Sequence, residues 1–200
     1  VLSSIKNVPK CAACMFGKQR RLSTPGTVTH VIKDKSGVLK ENNLNPGDRV
    51  SIDHFYCSAK GRLFNSRGKT AEENMYCGGL MAVDHASNYI FVQCQKRFTA
   101  QETINAKEIF EMYSRDMGVI VQGYLSDKGT AFTSKEFMNH LDDLVQDVKF
   151  AGVGAHHQNG HVETSIGTIM SMARTMMLHA AIHWPDMADP SLWPMAVQHA

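Results

Sequence analysis

Residues 118–137 read Gly118-Val-Ile-Val-Gln-Gly-Tyr-Leu-Ser-Asp-Lys-Gly-Thr-Ala-Phe-Thr-Ser-Lys-Glu-Phe137, and the order of features in them decides the fold class. An apolar run, 119–125, has the length and β-branched content of a buried strand. It leads straight into Ser126-Asp127. Six residues later Thr133-x-x-Glu136 has the form of a capping box, which predicts a helix carrying Phe137, Leu141, Leu144 and Val145. Upstream, a second box, Thr99-x-x-Glu102, opens a helix with the stripe Ala106, Ile109, Phe110, Tyr113 and Met117, and Gly118 stops it.

Further out, 50–56 alternates as a strand that places Ser51, Asp53 and Phe55 on one face. The polar stretch 58–77 is expected to form a long hairpin arm. The runs 80–83 and 89–94, separated by the turn residues Asp84 to Asn88, form an antiparallel pair. After residue 137 come a short strand at 148–150, a loop at 151–160 and a long helical pattern at 161–182. Three strands, helix, strand, helix, strand, helix is an α/β order. It implies a mixed sheet, three antiparallel strands followed by parallel ones, flanked by helices.

The chain is 43% hydrophobic and 20% charged, a globular profile. No window reaches the eighteen or more apolar residues of a membrane span, so no membrane partner is expected. No targeting segment is visible, and both ends are expected to be cuts through a longer product. The net charge is +2 but unevenly spread: residues 1–40 hold Lys6, Lys10, Lys18, Arg20, Arg21, Lys33, Lys35 and Lys40 against Asp34 alone. A basic arm ahead of an acidic body points to a polyanion, with a solvated linker as the plainer reading. Five cysteines, of which only Cys11 and Cys14 are spaced as a C-x-x-C, suit a reducing compartment and one metal or redox pair.

Three acids sit where a routine surface charge would not. Asp53 lies within a strand, flanked by Val50, Ile52 and Phe55. Asp127 ends a strand, where open α/β sheets place ligands. Glu163 opens the long helix three residues before Ile166, on the expected inward stripe Ile166, Met170, Ala173, Met177 and Ala181. Converging carboxylates are hard oxygen donors suited to a pair of Mg2+ ions in phosphoryl transfer. Read singly, each could instead be a cap, edge or helix-start residue. Asp84 reads as a turn residue, Cys57 and Cys94 as core, the methionines of the long helix as packing, and His156, His157 and His161 as polar loop or DNA-facing residues.

Between Asp127 and Glu163 lie 35 residues, and the blocks Asp127-x-Gly129-x-x-Phe132 and Gln158-Asn-Gly-His-Val-Glu163 surround them. This arrangement resembles the D, D-35-E catalytic core of retroviral and retrotransposon integrases. Met172-Ala-Arg-Thr-Met-Met-Leu178 and Leu192-Trp-Pro-Met-Ala-Val-Gln-His-Ala200 resemble the copia-type branch of retrotransposon polyproteins. Cys11-x-x-Cys14-x-x-Gly17-Lys18 resembles the end of the zinc-binding segment that precedes the core there.

The resemblance implies an RNase H-like fold and three regions: 1–22, the end of a zinc-binding segment; 23–47, a linker; 48–200, the integrase core. It implies a metal-dependent endonuclease and polynucleotidyl transferase that processes DNA 3′ ends and joins them to target DNA. Asp53, Asp127 and Glu163 would hold two Mg2+ or Mn2+ ions, with Asp53 bridging, and Cys11 and Cys14 would be half of a Zn2+ site. Gln158 and Asn159 would meet the DNA end, with Lys60, Arg62, Arg67, Lys69 and Arg174 as further DNA contacts, and Gly129 and Gly160 would permit tight backbone. The implied partners are retrotransposon cDNA ends, target DNA and further copies of the chain, acting in the nucleus after a cytoplasmic particle stage. Two departures stand out: that branch usually places Arg or Lys directly after the Glu and one turn later, where this chain reads Thr164, Ser165, Ile166 and Gly167 with no charge before Arg174, and no His precedes Cys11. An RNase H-like nuclease and a non-catalytic, nucleic-acid-binding copy remain the alternatives.

Overall fold

The computed structural model describes residues 10–19, 44–68, 70–152 and 159–200. Five strands, β1 (Val50–Gly61), β2 (Tyr76–Asp84), β3 (Ile90–Gln95), β4 (Gly123–Ser126) and β5 (Asp147–Phe150), form one sheet in the order β3-β2-β1-β4-β5. β1–β2 and β2–β3 pair antiparallel, whereas β4 lies parallel to β1 and β5 parallel to β4. The helices are α1 (Ala12–Gly17), α2 (Ala100–Asp116), α3 (Lys135–Asp143), α4 (Gly160–His183) and α5 (Trp193–His199). The mixed sheet flanked by helices is as the sequence implies.

The period-two alternation of β1 divides the core. Val50, Ile52, Leu80, Ala82 and Tyr124 pack with Ile104, Ala106, Phe110, Phe137 and Leu141 on the side of α2 and α3. Phe55, Met81, Val83 and Cys94 pack with Val162, Ile169, Ala173 and Trp193 on the side of α4 and α5. Ser51 and Asp53 belong to this second face.

Several boundaries differ from the sequence expectation, each for a physical reason. β1 runs on to Gly61, because Trp193 Nε1 donates to the Ala59 carbonyl and the Arg62 amide to that of Ser191, which tie the end of the arm to the C-terminal segment. β4 spans Gly123–Ser126 rather than the expected 119–125, starting four residues later since the Gln122 amide turns to the Gly47 carbonyl. The cap of α3 is Ser134, which accepts from the Phe137 amide, while Thr133 donates its hydroxyl to the Gly129 carbonyl. Thr99 caps α2 as expected, but Glu102 reaches back to the amides of Lys96 and Arg97. Past α2, Gly118 adopts φ +77°, the left-handed geometry that ends a helix without a side-chain clash.

α1, which carries the C-x-x-C, lies against α4: the Ser171 hydroxyl donates to the Gly17 carbonyl. None of the described helices is long and apolar enough to cross a membrane.

Candidate active site

Asp53 sits in the middle of β1 and is part-buried, its Oδ1 accepting the His54 amide at 2.7 Å. Asp127 follows the C-terminal end of β4, which runs parallel to β1. Glu163 stands in the first turn of α4, where the helix dipole favours a negative charge. These elements bring the three carboxylates within electrostatic reach of one another. Burial, then the charge of Asp127 and that of Glu163, push Asp53 up to about 6, against the lowering effect of the His54 amide.

Asp127 and Glu163 are exposed, and the latter corrects the sequence expectation. The buried positions of α4 are Val162, Ile169 and Ala173, so Glu163 flanks the inward stripe and does not share it. Its carboxylate therefore carries little burial cost.

The Asp127-x-Gly129-x-x-Phe132 block has a visible purpose. The Gly129 amide donates to Asp127 Oδ1 at 3.0 Å, and a Cβ added at Gly129 would stand 3.0 Å from that oxygen and 3.3 Å from the Phe132 ring. Phe132 is buried and stacks on His54 at 4.6 Å between ring centroids. His54 thus links β1 to the Asp127 loop, a role that sequence reasoning missed although the residue adjoins Asp53. Its ring also meets the Thr103 hydroxyl at 3.1 Å. Burial lowers its pKa to about 4, opposed by the Asp127 charge, so at neutral pH it supplies no cation to the acids.

The expected DNA contacts are scattered. Asn159, the residue before α4, is 2% exposed, and among the described residues neither of its side-chain polar atoms has a hydrogen-bond partner. Gln158 and Lys69, like His156 and His157, lie outside the described residues. Lys60 is seven residues beyond Asp53 on β1, roughly 23 Å along the strand. Arg62 and Arg67 lie past it in the arm. Arg174 is eleven residues past Glu163, roughly 16 Å along the α4 axis. Open space surrounds the Cβ position of Gly160 among the described residues, so no close approach explains that glycine.

Asp84 accepts from the Gly47 amide and from the Ser87 amide and hydroxyl. Burial pulls its pKa up, but these hydrogen bonds outweigh it and hold the carboxyl below its usual value. It organises the β2–β3 turn, as its position suggested. Cys94 is buried and Cys57 half-buried in the α4-side core.

At the start of α1, Cys11 is exposed, and the Cys14 backbone and thiol hold its own thiol below the usual range. Among the described residues no three His, Cys, Asp or Glu side chains are gathered closely enough to hold an ion, here or at the acids. The two observations on the acids are compatible, because charges repel across distances at which one ion cannot be shared.

No family model and no curated protein matches this sequence. Solved structures match its shape. One is the catalytic core domain of the HTLV-2 integrase in complex with magnesium, trimeric form, with 20% identity over 78% of this chain and 83% of that one, at a TM-score of 0.50. Another is the simian T-cell lymphotropic virus intasome in complex with PP2A regulatory subunit B56 gamma, with 19% identity over 78% of this chain and 48% of that one, at a TM-score of 0.54. The fold is that of an integrase catalytic core. Its RNase H-like sheet places Asp53 on the central strand and Asp127 just past the end of the neighbouring one. That adjacency brings Asp53 and Asp127, 74 residues apart in sequence, to neighbouring strands.

Proposed function

We propose that this chain is the catalytic core of a copia-type retrotransposon integrase, a metal-dependent polynucleotidyl transferase acting on cDNA ends and target DNA. The observation that carries the reading is the delivery of Asp53, Asp127 and Glu163 by three separate elements of an integrase-core fold, near enough that the charges of the latter two act on Asp53. Such a set of hard oxygen donors fits Mg2+ or Mn2+ chemically, although it is open rather than preassembled. Bound there, two such ions would activate the attacking oxygen and stabilise the leaving one.

The chain's own residues do the holding. Asp53 stands on the stiff central strand, Gly129 orients Asp127, and the His54–Phe132 stack fixes the loop that carries it. Glu163 is presented from the first turn of a long helix. The copia-type assignment rests on the Met172 to Leu178 and Leu192 to Ala200 blocks, and the half zinc site on Cys11 and Cys14. Multimeric action on DNA in the nucleus completes the proposal.

The test incubates the chain with a labelled duplex in Mn2+, beside Asp127→Asn. Joined products that vanish in the variant are expected. Nicking without joining would replace the reading with a nuclease, and tight DNA binding without reaction would replace it with a binding-only copy.

A further inference from the structure

The acids attract metal but repel the polyanion they are to act on, so the strand must be held by cations close by. α4 offers none between Glu163 and Arg174, and the arm residues Lys60 and Arg62 lie at the far end of β1. Besides Lys128, which follows Asp127 directly, the structure brings together two cations that are a hundred residues apart in sequence. Arg49 precedes β1, and Lys149 lies in β5 directly opposite Leu125 of β4. Together with His85, Leu125 and Phe150 they line a cavity of about 570 Å3.

The place of this cavity is fixed by strand register. Leu125 is two residues before Asp127 and shares its face of the sheet, roughly 7 Å away. Ser51, on the same face as Asp53, meets the His85 ring at 2.7 Å, and His85 packs edge-on to His161, two residues before Glu163. The cavity therefore adjoins all three acid-bearing elements. The Lys149 ammonium does approach Asp147, but at 3.8 Å with both side chains more than half exposed, an ion pair too weak to take it out of play.

We infer that the Arg49–Lys149 cavity is a phosphate-backbone site, which seats the strand of duplex DNA next to the carboxylates. It rests on the integrase reading for its substrate class, and it takes over the grip that basic residues after Glu163 would otherwise supply. Arg49 and Lys149 flank β4 from either side. Each can meet a different phosphate of one strand.

Binding of a fluorescent duplex by the 200-residue chain, measured by anisotropy over a range of salt concentrations and in EDTA, tests this apart from catalysis. In the double variant Arg49→Gln/Lys149→Gln the slope of log K against log salt should fall by about two, at ~0.9 per phosphate contact, with weaker binding at every salt. Lys149→Gln alone, at an exposed position, should remove about one and guards against a folding defect at Arg49. Lys60→Gln/Arg62→Gln should change the slope less than the first pair. An unchanged slope in the Arg49/Lys149 variants, a larger effect from the arm pair, or no duplex binding by the wild-type chain would each overturn the inference. A lowered slope in a chain that never joins strands would leave this site standing and refute the integrase reading alone.

Discussion

On the two sides of one sheet, two carboxylates meet opposite treatment. Glu111, on α2, accepts from Tyr124 OH at 2.6 Å and from Gln146 Nε2 at 2.7 Å, and pairs with Lys107 Nζ at 2.8 Å. Burial pulls its pKa upward, but these partners outweigh it and hold the carboxyl below its usual value. Lys107 also lies over the Tyr124 ring, 5.4 Å from its centroid. Asp53, on the α4 side, meets two further carboxylates, and among the described residues no cation pairs with it. One charge is balanced from within the fold. The other is not balanced by any described residue, the arrangement expected if a cation from outside completes it.

The comparison breaks most visibly at Glu111. Glu111→Ala strands the buried Lys107 cation and should cost about 3–5 kcal/mol in urea unfolding. Adding Lys107→Met should recover part of that loss, since the stranded charge goes with it. A cost below ~1 kcal/mol would show that the network carries no charge-pairing burden.

At Asp53 the sign reverses. Its folded pKa, about 6, lies above the ordinary carboxylate value of 3.8, so the folded state binds a proton that the unfolded chain releases. The contribution of Asp53 to the stability of the metal-free protein should therefore fall as pH rises from about 4 to about 6, while that of His54, whose pKa burial lowers from 6.5 to about 4, rises over nearly the same range. Asp53→Asn should remove the Asp53 contribution alone, so that its advantage over wild type grows from pH 4 to 6 and reaches roughly 1–2 kcal/mol at pH 7.5, partial exposure weakening the effect. Thermal melts of both proteins across pH 4–8 check it. A variant less stable than wild type at pH 7.5 would contradict the account.

The smallest effect tests whether strain is confined to the acid side. Val145, just after α3 and 89% exposed, holds φ +55°, a conformation that a β-branched residue adopts at a cost. Val145→Gly should stabilise by about 1 kcal/mol, measured by chemical denaturation. No gain would mean that the turn is relaxed there.

Strand and helix order was legible because β1 alternates cleanly and α2 and α3 announce their starts with hydroxyl caps. The cap of α3 slipped by one residue because Thr133 and Ser134 are adjacent and chemically alike, and only the Thr133–Gly129 contact separates them. The phase of α4 was not legible. Val162, Ile166, Ile169, Met170, Ala173, Met176 and Met177 spread apolar character around much of the helix, so sequence alone could not place Glu163 beside the buried stripe rather than on it. The acids themselves were found through motif spacing, which lies along the chain. His54 was missed because its part depends on a ring contact to Phe132, 78 residues on, and Arg49 and Lys149 because only the parallel pairing of β1, β4 and β5 joins them.

A divalent cation at Asp53, Asp127 and Glu163 would complete the α4 side of the sheet. Thermal melting during a Mn2+ titration tests it directly, without DNA or turnover. The wild-type chain should gain stability with concentration, by about 2.7 kcal/mol at a hundred times Kd, while Asp53→Asn, though more stable without metal, should gain almost nothing. Equal gains in both proteins, or none in the wild type, would contradict it.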